Sequence, residues 1–454
     1  MKSLFLLAIA FTGIACNGQP GKTSNTEGIV FKGVNLIPMD QEQVIENQDV
    51  WVKDGRILKI AASGQSNLPA NTLIVDGKGR YLMPGLAEMH AHVPQGDDIA
   101  PMKDVLLLYA VNGITTIRGM LGHPKHLVIK KMIASGEMIG PQFYTAGPGF
   151  SGQSAKNPEA AAAMVSEQKK AGYDFLKMLP GLSRETFAAI EQRAKQEQIP
   201  FAGHVSFDVG IWRAIDAGYA SIDHLDGFIE GITPGISNMK EQEIGLFAMF
   251  ISQKADTTRI AKLTAALKDH HIWVVPTQAL AERWFSPDQS PQALSQSPEM
   301  VYMSSETIND WINAKTSLMK NASYDSLKLA HFIRLRRQLI SACNKSGVGI
   351  LSGSDAPQVF DVPGFSLHQE LKYMVDAGLT PYEALRTSTV NVAGYFNKTD
   401  EGTIKEGAKA NLLLLNANPL TDINNTKAIE AVLLGSHWMP RSFIDSTLTS
   451  LKKH

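Results

Sequence analysis

The chain has 454 residues, of which 44% are hydrophobic and 19% charged, and its formal net charge is −1. This length is sufficient for a large core, and the composition shows no sign of disorder beyond the first residues. The near-zero net charge excludes the strongly basic surface that binds nucleic acid or an anionic membrane, so we expect no nucleic-acid partner. Two cysteines, Cys16 and Cys343, are too few for a disulfide framework.

The first residues are typical of an export signal. Met1-Lys2 is a short basic start, and residues 3–15 form an apolar run that is too short for a permanent membrane span. Small residues precede Cys16 and a polar segment follows it. This pattern resembles a bacterial lipoprotein signal, although Gly13 departs from the usual leucine three positions before the cysteine.

We therefore expect residues 1–16 to be a signal peptide with a lipobox and residues 17–27 to be a tether. The mature protein is expected in the cell envelope of a bacterium, in the periplasm or at the outer membrane. Its membrane contact is expected only through a lipidated Cys16. A plain secretory signal that is cleaved nearby is the alternative.

Both ends of the remaining chain are predicted to be β structure. Asp54-Gly55 is a hairpin signal, and short strands surround it. The predicted strands cover residues 29–37, 49–52, 56–60, 73–76 and 80–83, and then 410–415 and 431–436. Neither end is large enough to be stable alone. We predict that residues 28–84 and 402–454 form one small composite domain, a β-sandwich.

Between residues 85 and 401, strands alternate with helices. The predicted strands are one ending at His92 and then 114–118, 142–146, 174–178, 199–204, 220–224, 272–276 and 348–355. Eight such strands predict an α/β fold, a (β/α)8 TIM-like barrel. The intervals 225–256 and 279–325 are too long for simple crossovers. Both follow a strand's C-terminal end, so they are candidates for a lid or substrate pocket, or else lengthened surface loops.

Polar side chains of metal-binding type stand at the ends of several predicted strands. They are His90, His92, Lys177, His204, His224 and Asp355. In a barrel these ends meet on one face, and four histidines with a carboxylate suit a pair of divalent metals such as Zn²⁺. A lysine ammonium is not a ligand, whereas a neutral amine can react with CO₂ to form an anionic carbamate. The residues alone favour a lysine with a buried stem that reaches solvent.

The motifs together resemble a known family. They are Pro84-Gly85, His90-Ala91-His92, Asp174-Phe175-Leu176-Lys177, Gly203-His204-Val205, Ile222-Asp223-His224, Gly353-Ser354-Asp355-Ala356-Pro357 and the stretch from Glu406 to Leu412. This set resembles the amidohydrolase superfamily of metal-dependent hydrolases, in its binuclear carboxylated-lysine subtype. Within it, the chain is similar to the prolidase-like or imidazolonepropionase-related branch. Asn411, and Gly119 after Arg118, stand where relatives usually have aspartate.

The resemblance implies two divalent metal ions, with zinc expected, and a CO₂-derived carbamate on Lys177. His90, His92, Lys177 and Asp355 would hold the more buried ion. Lys177, His204 and His224 would hold the more exposed one. A hydroxide bridging the two ions would attack the substrate carbonyl, and Asp355, as the catalytic residue, would pass its proton to the leaving amine.

The resemblance further implies an exported hydrolase of carbon–nitrogen amide bonds. A dipeptide such as Xaa-Pro or an N-acyl amino acid is the expected small-molecule substrate, and a homo-oligomer is possible. One alternative is a mononuclear deaminase or cyclic-amide hydrolase in which Lys177 is structural. Another is a catalytically silent binding lipoprotein on the same barrel. Hydrolysis of a lactone or organophosphate also stays open.

Three further residues are candidates for substrate binding. Arg118 could bind a substrate carboxylate with two hydrogen bonds or could form a structural ion pair. Arg283 and Trp284 could line the pocket from the second long interval, although Trp284 equally suits the core of a loop. His123 and His126 are predicted to be surface residues.

Overall fold

The structure, a computed structural model, describes residues 28–65 and 71–453. The predicted signal peptide and lipobox of residues 1–16, the tether of residues 17–27 and Cys16 lie outside the described residues. Cys343 is buried, as an inert small side chain. Over residues 28–65 and 71–453, no helix has both the length and the apolar character that crossing a membrane requires.

The strands, in chain order, are β1 (Ile29–Leu36), β2 (Ile45–Lys53), β3 (Arg56–Ala62), β4 (Leu73–Asp76), β5 (Tyr81–Pro84), β6 (Leu86–Ala91), β7 (Ile114–Gly119), β8 (Gln142–Thr145), β9 (Leu176–Met178), β10 (Phe201–Gly203), β11 (Ser221–Asp223), β12 (Trp273–Val275), β13 (Leu412–Leu415), β14 (Ile429–Leu434) and β15 (His437–Pro440).

The α-helices are α1 (Ala100–Val111), α2 (Pro124–Ala134), α3 (Pro158–Ala171), α4 (Arg184–Glu197), α5 (Ile211–Ala217), α6 (Phe228–Ile232), α7 (Glu241–Ile244), α8 (Ile260–Asp269), α9 (Gln278–Trp284), α10 (Pro291–Ser295), α11 (Ser305–Met319), α12 (Ser326–Ser346), α13 (Phe365–Asp376), α14 (Pro381–Thr387), α15 (Val390–Tyr395) and α16 (Arg441–Ser450). The long intervals predicted to carry inserted elements contain α6 and α7 in the first case and α9 to α11 in the second.

One eight-stranded sheet joins the two ends of the described chain. Its order is β15-β14-β13-β5-β1-β2-β3, and β4 pairs in parallel with β1. The link between the ends is the antiparallel pairing of β5 with β13, in which Leu82 lies opposite Leu414. Side chains from both ends, such as Phe31 and Leu433, share one buried apolar cluster. The two ends therefore form one β unit, while the exact domain boundaries stay a prediction.

Seven parallel strands and one irregular segment make the barrel. β6, β7 and β8 form one hydrogen-bonded group, and β9 to β12 form the other. The groups meet at a parallel bridge between Ala146 and Phe175. On the other side, the segment 350–355 bridges β12 and β6, because the Leu351 amide donates to Val274 and the Asp355 amide donates to His90. The ring is closed by these bonds, and the α/β fold class is confirmed.

The predicted eighth strand at residues 348–355 is not a regular strand. Only Ile350 makes a β-bridge, to Val274. The amide of Ser352 donates to the carbonyl of Thr387 instead of to a neighbouring strand. Asp355 then turns with a left-handed φ of 68°. The alternation of strands and helices along the chain predicted the location of this segment correctly. Hydrogen bonds to side chains and to a loop replace the regular β ladder.

The helix α13 places a buried acid against the start of α9. Glu370 is fully buried, and one of its carboxylate oxygens accepts a hydrogen bond of 2.6 Å from the Ala279 amide. Burial raises the pKa of Glu370 from 4.5 to about 8. The folded protein therefore holds a proton that the unfolded chain releases above pH 4.5. The binding of this proton contributes to the free energy of unfolding. The contribution is complete below pH 4.5 and is lost as the pH rises towards 8.

We expect Glu370→Gln to stabilise the protein at alkaline pH, because the amide copies the protonated acid without its titration. The pKa difference corresponds to an increase in the free energy of unfolding on the order of 3 kcal/mol at pH 7. Near pH 4.5 the variant and the parent protein should be nearly equal. Urea unfolding of both proteins at pH 5 and pH 8 measures the difference, and an equal change at both pH values would contradict this assignment.

Candidate metal centre

The six predicted ligand side chains converge at the C-terminal end of the barrel. Nε2 of His92 lies 2.6 Å from Oδ1 of Asp355, and Nε2 of His90 lies 3.4 Å from the same oxygen. The imidazole rings of His90 and His224 are 4.4 Å apart between centroids, and those of His204 and His224 are also 4.4 Å apart. Strands that are far apart in sequence thus bring four histidines and one carboxylate together.

The tightest group consists of His90, His92 and Asp355. One possible ligand atom from each lies within 4.8 Å of the others. That spacing allows one cation to contact all three, given metal–ligand bonds of about 2.0–2.2 Å. His90 is buried, whereas the side chains of His92 and His204 are each 15% exposed. The centre is therefore open to solvent on the side of His92 and His204.

Lys177 reaches into the same cluster from β9. Its side chain is buried, and its Nζ lies 3.3 Å from Nε2 of His90. Gly203 makes room for it, because a Cβ at that position would lie 2.8 Å from Cδ of Lys177. Burial lowers the pKa of Lys177, while the carboxylates of Asp223 and Asp355 act in the opposite direction. The lysine is thus a buried member of the centre and does not extend to solvent.

The Nδ1 atoms of three histidines lie next to oxygens of neighbouring side chains. Nδ1 of His90 lies 2.9 Å from Oδ2 of Asp223, and Nδ1 of His204 lies 2.5 Å from Oδ2 of Asp226. Nδ1 of His224 lies 2.9 Å from the hydroxyl of Thr277. The hydrogen bonds of His204 and His224 fix the orientation of their rings and leave Nε2 as the atom available to a metal, whereas the contact of His90 with Asp223 lacks hydrogen-bond geometry.

The donor set fits divalent metal ions. Nε2 of His224 is buried and has no hydrogen-bond partner in the described part of the chain, which is costly unless a ligand binds there. Burial lowers the pKa of His90 and of His224 well below the ordinary value of 6.5. Neutral imidazoles are the form that binds metal. Four histidines, one carboxylate and a buried amine therefore match a site for zinc-like ions.

Left-handed backbone conformations cluster at this end of the barrel. His224, Thr277 and Asp355 have φ values of 63°, 46° and 68°. For residues other than glycine such conformations are unfavourable and recur at functional sites, where the surrounding structure holds them in place. They turn the chain directly after β11, after β12 and in the segment 350–355. The side chains at these turns thus face the shared centre.

Glu88 is a site residue that the motif analysis missed. Its carboxylate accepts hydrogen bonds from the Ser354 hydroxyl at 2.6 Å, the Ser354 amide at 2.8 Å and the His90 amide at 3.1 Å. Burial raises the pKa of Glu88 to about 8. It connects β6 to the segment that carries Asp355. Its position two residues before His90, in a buried strand, is the sequence feature that could have indicated this role.

The first long interval folds against the exposed side of the centre. The ring of Phe247 lies 5.3 Å from that of His224 and 6.4 Å from that of His204, between centroids. Phe247 has a left-handed φ of 55°, and its ring also contacts Phe285 after α9. The first interval thus places an aromatic ring next to the centre, and a residue of the second packs against that ring. Their role as a lid or substrate pocket stays a prediction.

The three predicted substrate-binding residues do not lie in the open part of the centre. Arg118 is completely buried beneath it, with Nη2 3.2 Å from both carboxylate oxygens of Asp223. This contact corresponds to the structural ion pair and corrects the substrate-carboxylate interpretation, because no surface of the guanidinium is accessible.

Arg283 is also buried, and it donates to Glu299 at 2.8 Å and to the carbonyl of Phe360. Its guanidinium is occupied by Glu299 of the insertion and by the loop that carries Phe360, so the structure gives no support to a role in the pocket. Trp284 is half-buried and stacks on Phe285, 4.9 Å between centroids, which agrees with its alternative as loop core.

The prediction that His126 is a surface residue is wrong. Its side chain is buried, and Nε2 lies 2.9 Å from the Pro94 carbonyl. That hydrogen bond satisfies a polar atom that would otherwise be costly to bury. His123 caps α2 by accepting a hydrogen bond from the Lys125 amide, and it does not join the centre.

Comparison with curated proteins gives short matches. One is an adenine deaminase of Paracoccus denitrificans (strain Pd 1222), 29% identical over 68 residues, which cover 15% of this chain and 11% of the deaminase. The matched segment therefore spans only a small part of that relative, whose activity does not transfer with it.

Solved structures match over nearly the whole chain. A Xaa-Pro dipeptidase with methionine bound in its active site has a TM-score of 0.66 at 17% identity, covering 91% of this chain and 100% of the other. A bottromycin amidohydrolase has a TM-score of 0.71 at 20% identity, covering 95% and 91%. At these identities the likeness shows the fold.

The amidohydrolase family profile matches residues 81–439, which include all six residues of the centre. This match confirms the resemblance to the amidohydrolase superfamily, and the binuclear carboxylated-lysine subtype stays a prediction. It also supports the prediction of a metal-dependent enzyme that acts on carbon–nitrogen bonds. The chain belongs to the amidohydrolase family.

Proposed function

We propose that this protein is an exported metal-dependent hydrolase that cleaves a carbon–nitrogen amide bond in a small substrate, either a dipeptide such as Xaa-Pro or an N-acyl amino acid. One observation carries the proposal: four histidines, Asp355 and a buried lysine converge on one partly open centre. Family membership supports hydrolysis as the reaction type. The Xaa-Pro dipeptidase of similar fold supports a dipeptide as the first substrate to test.

The residues present divide into two groups of metal donors. His90, His92, Lys177 and Asp355 would hold the more buried ion, and Lys177 with His204 and His224 would hold the second, more exposed ion. A carbamate on Lys177 would supply the shared oxygens, and the burial of the lysine within the centre supports this role. When bound, such ions activate water and polarise a carbonyl group.

Asp355 is the residue placed to move protons. Its Oδ1 contacts His92, and its Oδ2 lies 3.7 Å from Nδ1 of His224, so the carboxylate spans the middle of the centre. It would accept the proton of the attacking water and deliver it to the leaving nitrogen. Phe247 excludes water from one side, and the exposed edge of His92 and His204 is the side on which a small substrate would enter.

A mononuclear deaminase is the second candidate. The matches to adenine deaminases favour it, although they cover only parts of the chain. In such an enzyme Lys177 would be structural.

We further propose the cell envelope as the location of the protein, with attachment through a lipidated Cys16. We also propose a homo-oligomer as its assembly.

The direct test is metal content together with hydrolysis by the purified protein. We expect about two divalent ions per chain, loss of activity on dialysis against a chelator, and recovery with Zn²⁺. The substrates to compare are Xaa-Pro dipeptides, N-acyl amino acids and adenine. One ion per chain with adenine deamination would favour the second candidate, and no bound metal with no turnover would indicate a silent binding protein.

A further inference from the structure

A charged side chain lies in the barrel directly beneath the centre. Arg118 has no exposed surface, and its Nε donates a hydrogen bond of 2.7 Å to the carbonyl of Met89. Met89 precedes His90 in β6. The guanidinium therefore holds the backbone immediately before the two ligands His90 and His92.

The same guanidinium also holds the acid that contacts His90. Nη2 of Arg118 donates to both oxygens of Asp223 at 3.2 Å, and Oδ2 of Asp223 lies 2.9 Å from Nδ1 of His90. The Ser221 hydroxyl donates to Oδ1 of Asp223 at 2.7 Å. One buried cation thus contacts both the backbone just before His90 and the acid next to its ring.

The far end of this chain of contacts is Tyr395, in the short helix α15. Its hydroxyl accepts a hydrogen bond of 2.9 Å from Nη1 of Arg118. The guanidinium carbon also lies 5.3 Å from the centre of the Tyr395 ring and 5.4 Å from that of Phe175. The aromatic faces and the hydroxyl hold the guanidinium plane in the orientation that allows it to reach Met89 and Asp223.

We propose that Tyr395, acting through Arg118 and Asp223, is a positioning residue for the metal ligand His90. The inference rests on the metal centre of the proposed function but not on the substrate. The carboxylate of Asp223, 2.9 Å from Nδ1 of His90, favours the tautomer that leaves Nε2 as an acceptor and strengthens the imidazole as a ligand. Loss of the Tyr395 hydroxyl leaves Ser221, at 2.9 Å, as the remaining acceptor of Nη1, so the guanidinium shifts and the Asp223–His90 distance changes with it.

The test compares Tyr395→Phe with a matched control, Tyr144→Phe. Tyr144 stacks on Phe396 at 3.8 Å, and its hydroxyl accepts a hydrogen bond from Gln142, so that variant removes a hydroxyl close to Tyr395 that Arg118 does not contact. Zn²⁺ affinity of the apo-protein is measured by chelator competition, and the Co²⁺ absorption spectrum reports ligand geometry. We expect Tyr395→Phe to weaken Zn²⁺ binding about 10-fold and to change the spectrum.

The control should bind Zn²⁺ with the parent affinity even if its thermal stability falls. Equal affinities and spectra for Tyr395→Phe and the parent would overturn the inference, as would equal weakening in both variants. If Tyr395→Phe does not fold, Arg118→Lys replaces it, because lysine keeps the charge but cannot hold both Asp223 oxygens. Metal binding that depends on Tyr395 in a protein without hydrolase activity would contradict only the proposed function, and a parent protein that binds no metal would overturn both.

Discussion

Replacing Lys177 with alanine is expected to reduce bound metal from about two ions per chain to one or fewer, and to lower kcat/KM by at least about 10³-fold. Lys177 is the only lysine among the six residues that converge, and its Nζ lies 3.3 Å from Nε2 of His90. A protonated amine at that position would repel a cation. A carbamate would instead supply two oxygens that share one negative charge, and the variant lacks both.

The matched control for Lys177→Ala is Lys315→Ala. Lys315 is a second buried lysine, and it donates to the carbonyls of Arg283 and Ser286 in the insertion. That variant should unfold at a lower temperature but keep its metal. Elemental analysis gives the metal content of both variants, and ¹³C-bicarbonate NMR of the parent protein tests the carbamate directly. Full metal content in Lys177→Ala would contradict the shared-ligand role and favour a mononuclear enzyme.

The candidate metal-binding side chains could be predicted because they lie within or just after the barrel strands, or in the segment 350–355. The barrel topology alone is enough to bring together an HxH pair, Gly203-His204 and Asp223-His224. Local signals also suffice at tight turns. Asp54-Gly55 predicts a hairpin, and both residues have the left-handed φ values, 51° and 71°, that such a turn requires.

The contacts that support these ligands could not be predicted in the same way. Whether Arg118 binds a substrate or an internal acid depends on Asp223, about a hundred positions later, and on Tyr395 in the helix α15. The burial of His126 in α2 depends on the Pro94 carbonyl in the loop after β6. These are tertiary hydrogen bonds between distant segments, and neither composition nor periodicity encodes them.

Two segments whose structure differs from the predicted β pattern have a related explanation. The helix α16 is rich in serine and threonine, residues with weak helix preference, and it forms where it packs against α1. The barrel segment that carries Asp355 has the β pattern of a strand, but its hydrogen bonds go to Glu88 and Thr387. In both cases tertiary contacts outweigh local preference.

Replacing Asp355 with asparagine is expected to lower kcat by about 10⁴-fold and to leave KM within a few-fold of the parent value. This loss is at the upper end of the range for a general acid–base residue. Asparagine keeps the shape of the side chain and one oxygen near His92, but it cannot take up or deliver a proton. The loss should therefore occur in the chemical step and not in substrate binding.

The matched control for Asp355→Asn is Asp361→Asn, the same change six positions along. Asp361 is also fully buried, and burial raises its pKa well above the ordinary value. It is not part of the cluster of His90, His92 and Asp355. Asp361→Asn should keep kcat within a few-fold of the parent. Steady-state kinetics on the best dipeptide distinguish the two variants, and an Asp355→Asn enzyme that loses metal in proportion to activity would indicate that Asp355 acts as a ligand alone.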